Sequence, residues 1–310
     1  MHQRLSPTTI LLLTIPPLMW ASNAVVGRMV NQIVPPVLLN CLRWALVFVL
    51  LLPVAHRVLR PGSGMWSQWR RYLMLGLLSV GCYNALQYLA LQTSTPINVT
   101  LVGSSMPVWL LALGALFFGA PVSMRQIAGA VLSIVGVLVV LCRGDLQLLQ
   151  GVRLVPGDLY MLLATVAWSV YSWMLTQPKD PAHIRSDWAA FLMAQVVFGM
   201  FWAGAFAAGE QVLLDPPPTD WGWAVAATLL YVAVGPSLLA YQCWNAALRR
   251  VGPNMAGFFA NLTPLFAALL SAAFLGEAPH AYHALAFALI VGGIMVSSRR
   301  GETRAVASES

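Results

Sequence analysis

The chain has 310 residues, of which 59% are hydrophobic and only 9% are Asp, Glu, Lys or Arg. Soluble globular proteins carry roughly 25% charged residues, so a soluble enzyme, a disordered chain and a nucleic-acid binder are excluded together. The net charge of +7 reads as basic loops retained on the cytoplasmic side of a membrane. The apolar runs are continuous and do not alternate as the strands of an outer-membrane barrel would.

A membrane-spanning helix needs about 20 mostly apolar residues. Such stretches fall at 8–30, 36–56, 72–92, 97–118, 125–142, 157–176, 187–209, 221–246, 254–275 and 280–298. Pro and Gly separate them, as at Pro35-Pro36, Pro61-Gly62, Pro156-Gly157 and Pro216-Pro217-Pro218. The expectation is an all-α polytopic membrane protein with ten transmembrane helices. The first apolar segment runs past Trp20 and Asn23 without a small-residue cleavage site, so it reads as a span and not as a signal peptide. With the N-terminus in the cytoplasm, Arg4, Arg57, Arg60, Arg70, Arg71, Arg125, Lys179, Arg185, Arg249, Arg250, Arg299, Arg300 and Arg304 all fall inside. Only Arg28, Arg143 and Arg153 fall outside, and Arg43 lies within a span. This bias predicts a multi-pass inner-membrane protein with both termini cytoplasmic. The longest outside loop is read as acidic, with Glu210, Asp215 and Asp220. Cys41, Cys82, Cys142 and Cys243 have no metal-like spacing and read as small hydrophobes.

The second half repeats the first. At a constant offset of 157, Pro96 matches Pro253, Pro107 matches Pro264, Phe117 matches Phe274, Gly119 matches Gly276 and Gly136 matches Gly293. A looser offset of 148 pairs Trp20 with Trp168. The units are 8–142 and 157–298, joined by an outside loop at 143–156 and followed by a cytoplasmic tail at 299–310. Five spans per unit is an odd number, so the two repeats are expected to be inverted in the membrane.

These segments carry a family resemblance. Trp20-Ala-Ser-Asn23, Arg43-Trp44, Pro107, Gly157-Asp158-Leu159 and Trp168-Ser-Val-Tyr171 occur in order. Ala240-Tyr-Gln-Cys-Trp-Asn-Ala-Ala-Leu-Arg249, Leu262-Thr-Pro264 and Leu275-Gly-Glu277 complete the set. The sequence resembles the drug/metabolite transporter superfamily, in its form with two EamA-type domains. That resemblance implies ten helices, inverted repeats, alternating access and small-metabolite transport, often amino-acid export. The first repeat has Phe118-Gly119-Ala120 where the second has Leu275-Gly276-Glu277, so Glu277 reads as an interfacial cap. Asp158 reads as a helix N-terminal cap.

Inverted-repeat carriers hold substrate near the midplane, where paired helices are interrupted. Pro107 and Pro264 are such a pair, read as helix kinks beside Ser104, Ser105, Asn261 and Thr263. They fit either a polar cavity wall or packing kinks healed by hydroxyl groups. Asn84, Gln87 and Tyr88 share one helical face, and the 157 offset maps them onto Tyr241, Trp244 and Asn245. With Trp20, Asn23, Trp168 and Tyr171 they form the expected substrate-binding set, to which Ser104 and Asn261 are added. Arg43 reads either as an anchor for a substrate carboxylate or as a hydrogen-bonding hub between helices.

No acid and no His is expected mid-membrane, which argues against carboxylate-based proton coupling and favours facilitated or exchange transport. Without an intramembrane His, Ser104 and Ser105 have no activating base, so an enzyme is not expected. No cofactor and no metal is called for. The expected partners are a small-molecule substrate and the lipid bilayer, with no nucleic acid and the oligomeric state left open. Neutral or zwitterionic metabolites, amino acids first, are the expected substrates of an exporter. Efflux of hydrophobic drugs or nucleobases, and a gated channel, are the alternatives.

Overall fold

The computed structural model describes residues 6–141, 144–145 and 155–298. Most of the 143–156 connection and the whole 299–310 tail lie outside the described residues, together with Arg4, Cys142, Arg143, Arg153, Arg299, Arg300 and Arg304. The described chain is all-helical. In chain order the segments are α1 (Pro7–Met29), α2 (Pro36–Ala55), α3 (Trp66–Thr93), α4 (Pro96–Phe118) and α5 (Met124–Leu141). They continue as α6 (Pro156–Thr176), α7 (Trp188–Leu214), α8 (223–251), α9 (253–275) and α10 (Ala281–Ser298). Among the described residues seven helices are long and apolar enough to cross a membrane. Three shorter apolar helices, Met124–Gly136, Thr263–Leu275 and Ala281–Gly293, accompany them. Large apolar side chains face outward, such as Leu116 at 75%, Leu213 at 81% and Phe274 at 65% exposure. An exterior of this kind suits lipid and not water.

Helix ends are capped by the residues that chemistry favours there. Ser6 accepts from Thr9 N–H, Thr95 from Asn98 N–H, and Asp187 from the N–H groups of Ala189 and Ala190. The Asp158 carboxylate accepts from Val155 N–H, and Thr93 of α3 accepts from Gly157 N–H at 2.9 Å. Glu210 departs from its sequence reading. It is not a loop acid: it lies within α7, is buried, and accepts from Val37 N–H at 2.9 Å and Leu38 N–H at 2.8 Å. The carboxylate thereby caps α2, a helix that starts with Pro36 and has no local capping side chain. Apolar Val212, Leu213 and Leu214 carry α7 one turn beyond the expected stop.

Contacts between ends sort the helices. The start of α2 meets the end of α7, and Arg28 near the end of α1 donates to Leu91 O at the end of α3. At the other end Arg71 of α3 binds Asp180 at 2.7 Å, and Arg250 in the last turn of α8 meets Thr9 of α1. This second, basic end also carries Arg57, Arg60, Arg185 and Arg249.

The 157 offset reappears in the backbone. Segments α4 and α9 are both broken one turn before their prolines: Pro96–Gly103 then Met106–Phe118, and 253–260 then Thr263–Leu275. Pro107 and Pro264 are therefore not kinks within one helix. Each sits in the first turn of a new helix, where a missing N–H costs nothing. Gly119 and Gly276 end these helices in the left-handed region, at φ 63° and 67°. Met124–Leu141 and Ala281–Ser298 match end to end. These two helices, α5 and α10, pack against each other through small residues. A Cβ on Gly293 would lie 2.3 Å from Gly129 O, and one on Gly136 would lie 2.9 Å from Ala286 O. Gly136/Gly293 and Gly129/Ala286 are both 157 apart, so the contact is the same seen from either helix.

The close approach at Gly293 leaves no room for a side chain, because the neighbour is backbone. Gly293→Ala is expected to cost about 1–3 kcal/mol, read as a lower melting temperature of the purified protein. Gly204→Ala, where nothing lies within 4 Å, is expected to leave it unchanged.

Candidate functional site

The interior site is built around two widened helical turns. Segment α3 passes through a π-helix at Leu77–Tyr83, and α8 through another at Ala233–Leu239. In α3 the small Gly76 and Gly81 allow α7 to approach; a Cβ on Gly76 would lie 2.6 Å from Gly199 N. In α8 Pro236 has no N–H to donate and breaks the regular ladder. Such turns release carbonyls, and side chains take them up. Asn40 donates to Val80 O at 2.8 Å, Tyr241 O–H to Ser79 O at 3.1 Å, and Ser237 O–H to Val232 O at 2.7 Å.

Arg43 of α2 lies at the centre with no solvent exposure. Its Nε donates to Ser237 Oγ at 2.5 Å, and its Nη1 to Asn84 Oδ1 at 2.8 Å, Tyr88 Oη at 3.0 Å and Asn23 Oδ1 at 3.2 Å. Tyr88 O–H donates to Asn23 Oδ1 at 2.7 Å, and Asn23 Nδ2 donates to Gln87 Oε1 at 2.8 Å. Every hydrogen-bonding partner of this cation is neutral, and its Nη2 has no acceptor among the described residues. Burying such a charge costs at least about 2.5–3.5 kcal/mol on insertion scales. Four hydrogen bonds offset part of that cost. Arg43 is a hub between α1, α2, α3 and α8.

An aromatic layer adjoins the hub. The Trp168 ring centre lies 4.7 Å from Tyr83, 4.9 Å from Tyr171, 5.2 Å from Tyr241, 5.3 Å from Trp20 and 6.1 Å from Trp244. The indole N–H groups of Trp44, Trp168 and Trp244 are buried without acceptors among the described residues. Each such orphan donor costs about 1–3 kcal/mol, so the layer is polar chemistry held in an apolar setting.

Two spaces flank the aromatic layer. One is a pinhole of about 20 Å³ touched by Trp20, Tyr83, Gln87 and the chain breaks at Gly103, Ala260 and Thr263. The other is a cavity of about 470 Å³ lined by Leu175, Phe191, Asn245, Leu248 and, at its basic end, Arg185 and Arg249. Positions along α8 give the order: Ser237 at the hub, Tyr241 and Trp244 in the aromatic layer, Asn245 on the cavity wall and Arg249 at its mouth. At 1.5 Å per residue this stack covers about 18 Å.

Of the expected set, Trp20, Asn23, Arg43, Asn84, Gln87, Tyr88, Trp168, Tyr171, Tyr241, Trp244 and Asn245 are all buried and make up or border this core. Ser104 and Asn261 do not join it. The Ser104 hydroxyl donates back to Thr100 O at 3.1 Å, and both amide atoms of Asn261 are buried without hydrogen bonds. Sequence reasoning missed Ser237, Tyr83, Trp44, Asn40 and Ser79. Pro236 beside Ser237, and Gly76 and Gly81 around Ser79, were the available signals of broken helical period. Glu277 sits outside this core, its N–H donating to Ser271 O at 3.3 Å as a helix-end cap.

The geometry can be set beside known proteins. An uncharacterized transporter of Archaeoglobus fulgidus is 26% identical over 94% of this chain and 98% of its own length. An aromatic amino acid exporter of Ancylobacter novellus, YddG, is 25% identical over 91% of this chain and 93% of its own. A solved structure with 22% identity superposes with a TM-score of 0.65, covering 94% of this chain and 96% of that one, and shares the fold. Residues 7–142 and 155–299 each match the EamA-like transporter family, and the chain belongs to that family.

Proposed function

We propose that this transporter moves small neutral or zwitterionic amino acids across the inner membrane by alternating access, in the direction of export. The observation that carries this reading is the layered core: an amide and arginine hub, a packed layer of aromatic rings and a 470 Å³ cavity, in that order along α8. The cavity volume falls in the usual range for small-molecule sites, about 300–1,000 Å³. Aromatic rings suit an apolar side chain, while Asn23, Asn84, Gln87, Tyr88 and Asn245 suit polar groups. Ser104 and Asn261 belong to the hinge in this reading. The substrate carboxylate would reach Arg43 as the anion this cation lacks. The exporter relative of Ancylobacter novellus supports the amino-acid class.

The architecture supports the motion. Seven long and three shorter apolar helices are compatible with ten spans, read as two units at 8–142 and 157–298. The antiparallel α5–α10 contact, the same seen from either helix, fits inverted repeats. The breaks at 104–105 and 261–262 supply matched hinges. The basic end fits the cytoplasmic side, so the cavity opens inward while the Arg43 hub closes the outer side. Arg43 to Ser237 is then a bond across the two units. None of the described carboxylates joins the core, which favours facilitated or exchange transport.

Proteoliposomes preloaded with neutral amino acids are expected to show saturable counterflow of labelled amino acid without an ion gradient. Asn84→Ala and Tyr241→Ala are expected to lower it about tenfold or more. Asn84 loses a charge-assisted hydrogen bond worth about 1.5–3 kcal/mol, and Tyr241 loses a hydrogen bond and ring contacts to Trp44 and Trp168 worth about 0.5–1.5 kcal/mol each. No counterflow of any amino acid would move the assignment to hydrophobic drugs or nucleobases, and unsaturable conductance would identify a channel. Ser237→Ala is expected to weaken the outer closure. A Gln87→Cys reporter in that background should label about tenfold faster with a membrane-impermeant thiol reagent added outside; an unchanged rate would remove the bond from the gate.

A further inference from the structure

We infer that the 470 Å³ cavity is itself a binding station for a zwitterionic head group: Arg185 and Arg249 hold the carboxylate, and Asn245 holds the ammonium. This rests on the amino-acid reading above and adds where the substrate is first captured.

Arg185 and Arg249 both line the cavity. Two acids lie close in sequence to Arg185, and both are occupied. Asp180 is buried and takes Arg71 through both oxygens, at 2.7 and 2.8 Å. Asp187 caps α7 through Ala189 and Ala190 N–H. Neither Arg185 nor Arg249 has an ion pair or a side-chain hydrogen bond among the described residues, so two like charges face one space without an anion. Like charges gathered around a partly enclosed volume raise the local concentration of an opposite charge. A guanidinium matches a carboxylate through paired N–H donors.

The second half of the head group has its own partner. Asn245 is 6% exposed, lines the cavity, and its Oδ1 accepts no hydrogen bond among the described residues. It precedes Arg249 by four residues on α8, so their Cβ atoms lie about 5–6 Å apart on one face. Side chains extending from neighbouring positions can converge on the ammonium and carboxylate of one α-amino acid. Leu175, Phe191 and Leu248 also line the cavity, and an apolar side chain would lie against them. Arg43 then receives a substrate already oriented, farther along the same helix.

The test uses the purified full-length protein and three probes: L-phenylalanine, L-phenylalaninamide without the carboxylate, and 3-phenylpropionate without the ammonium. Binding is read by ligand-dependent melting temperature. Phenylalanine is expected to bind about ten- to a hundredfold more tightly than either analogue. Arg185→Gln with Arg249→Gln should weaken phenylalanine and 3-phenylpropionate at least about tenfold and leave the amide unchanged. Asn245→Leu should weaken phenylalanine and the amide and leave 3-phenylpropionate unchanged. Equal binding of all three probes, or equal losses for all three in the arginine variant, would overturn the assignment, as would no binding of any. Binding in this pattern without amino-acid counterflow would keep the station and sink the transport reading instead.

Discussion

A buried arginine with no acid partner among the described residues is the constraint around which the interior is organised. The Arg43 side chain is enclosed on a helix that must also face lipid, and its charge can be tolerated only where neutral acceptors converge. Asn23, Asn84, Tyr88 and Ser237 converge there from three other helices. Each of those partners is fixed in turn: Asn23 by Gln87 and Tyr88, Ser237 by the carbonyl that the π-turn releases. The hub fixes which faces of α1, α2, α3 and α8 look inward. The aromatic layer then follows from the same faces, one turn farther along α3 and α8.

Irregular backbone is what makes this interior polar without leaving groups exposed to lipid. A regular helix uses all its carbonyls, whereas the two π-turns free several at matching depth in α3 and α8. Asn40 and Tyr241 take two of them from other helices and Ser237 takes one within its own, which couples the turns to Asn40, Tyr241 and, through Ser237, Arg43. The breaks at 104–105 and 261–262 lie next to the pinhole on the aromatic layer. Rigid helices meeting at such breaks can tilt without unpacking. In the proposed motion the α5–α10 pair, closely packed at Gly293 and Gly136, would be the pivot.

Much of this was legible in the sequence because it rests on composition and on Pro and Gly. Apolar length and punctuation found the helices, and the 157 offset found the paired breaks at Pro107 and Pro264 and the paired caps at Gly119 and Gly276. Helical spacing found Asn84, Gln87 and Tyr88 and their counterparts Tyr241, Trp244 and Asn245. What escaped depends on departures from that spacing. Tyr83 and Ser237 lie in π-turns, where a 3.6-residue period points them to the wrong face. Glu210 read as a loop acid because its role, capping α2, comes from a residue more than 170 positions away. Pro107 read as a kink because a proline inside an apolar run looks the same whether the helix bends or restarts.

In the proposed alternating-access cycle the hub closes one side while the cavity opens the other, and substrate reverses the two. Pulsed electron paramagnetic resonance with spin-label pairs across each end of the bundle measures this directly. Saturating a counterflow substrate should lengthen distances across the end that Arg43 closes and shorten those across the basic end. Distances that stay fixed at both ends while substrate is being exchanged would contradict alternating access and leave a static pore.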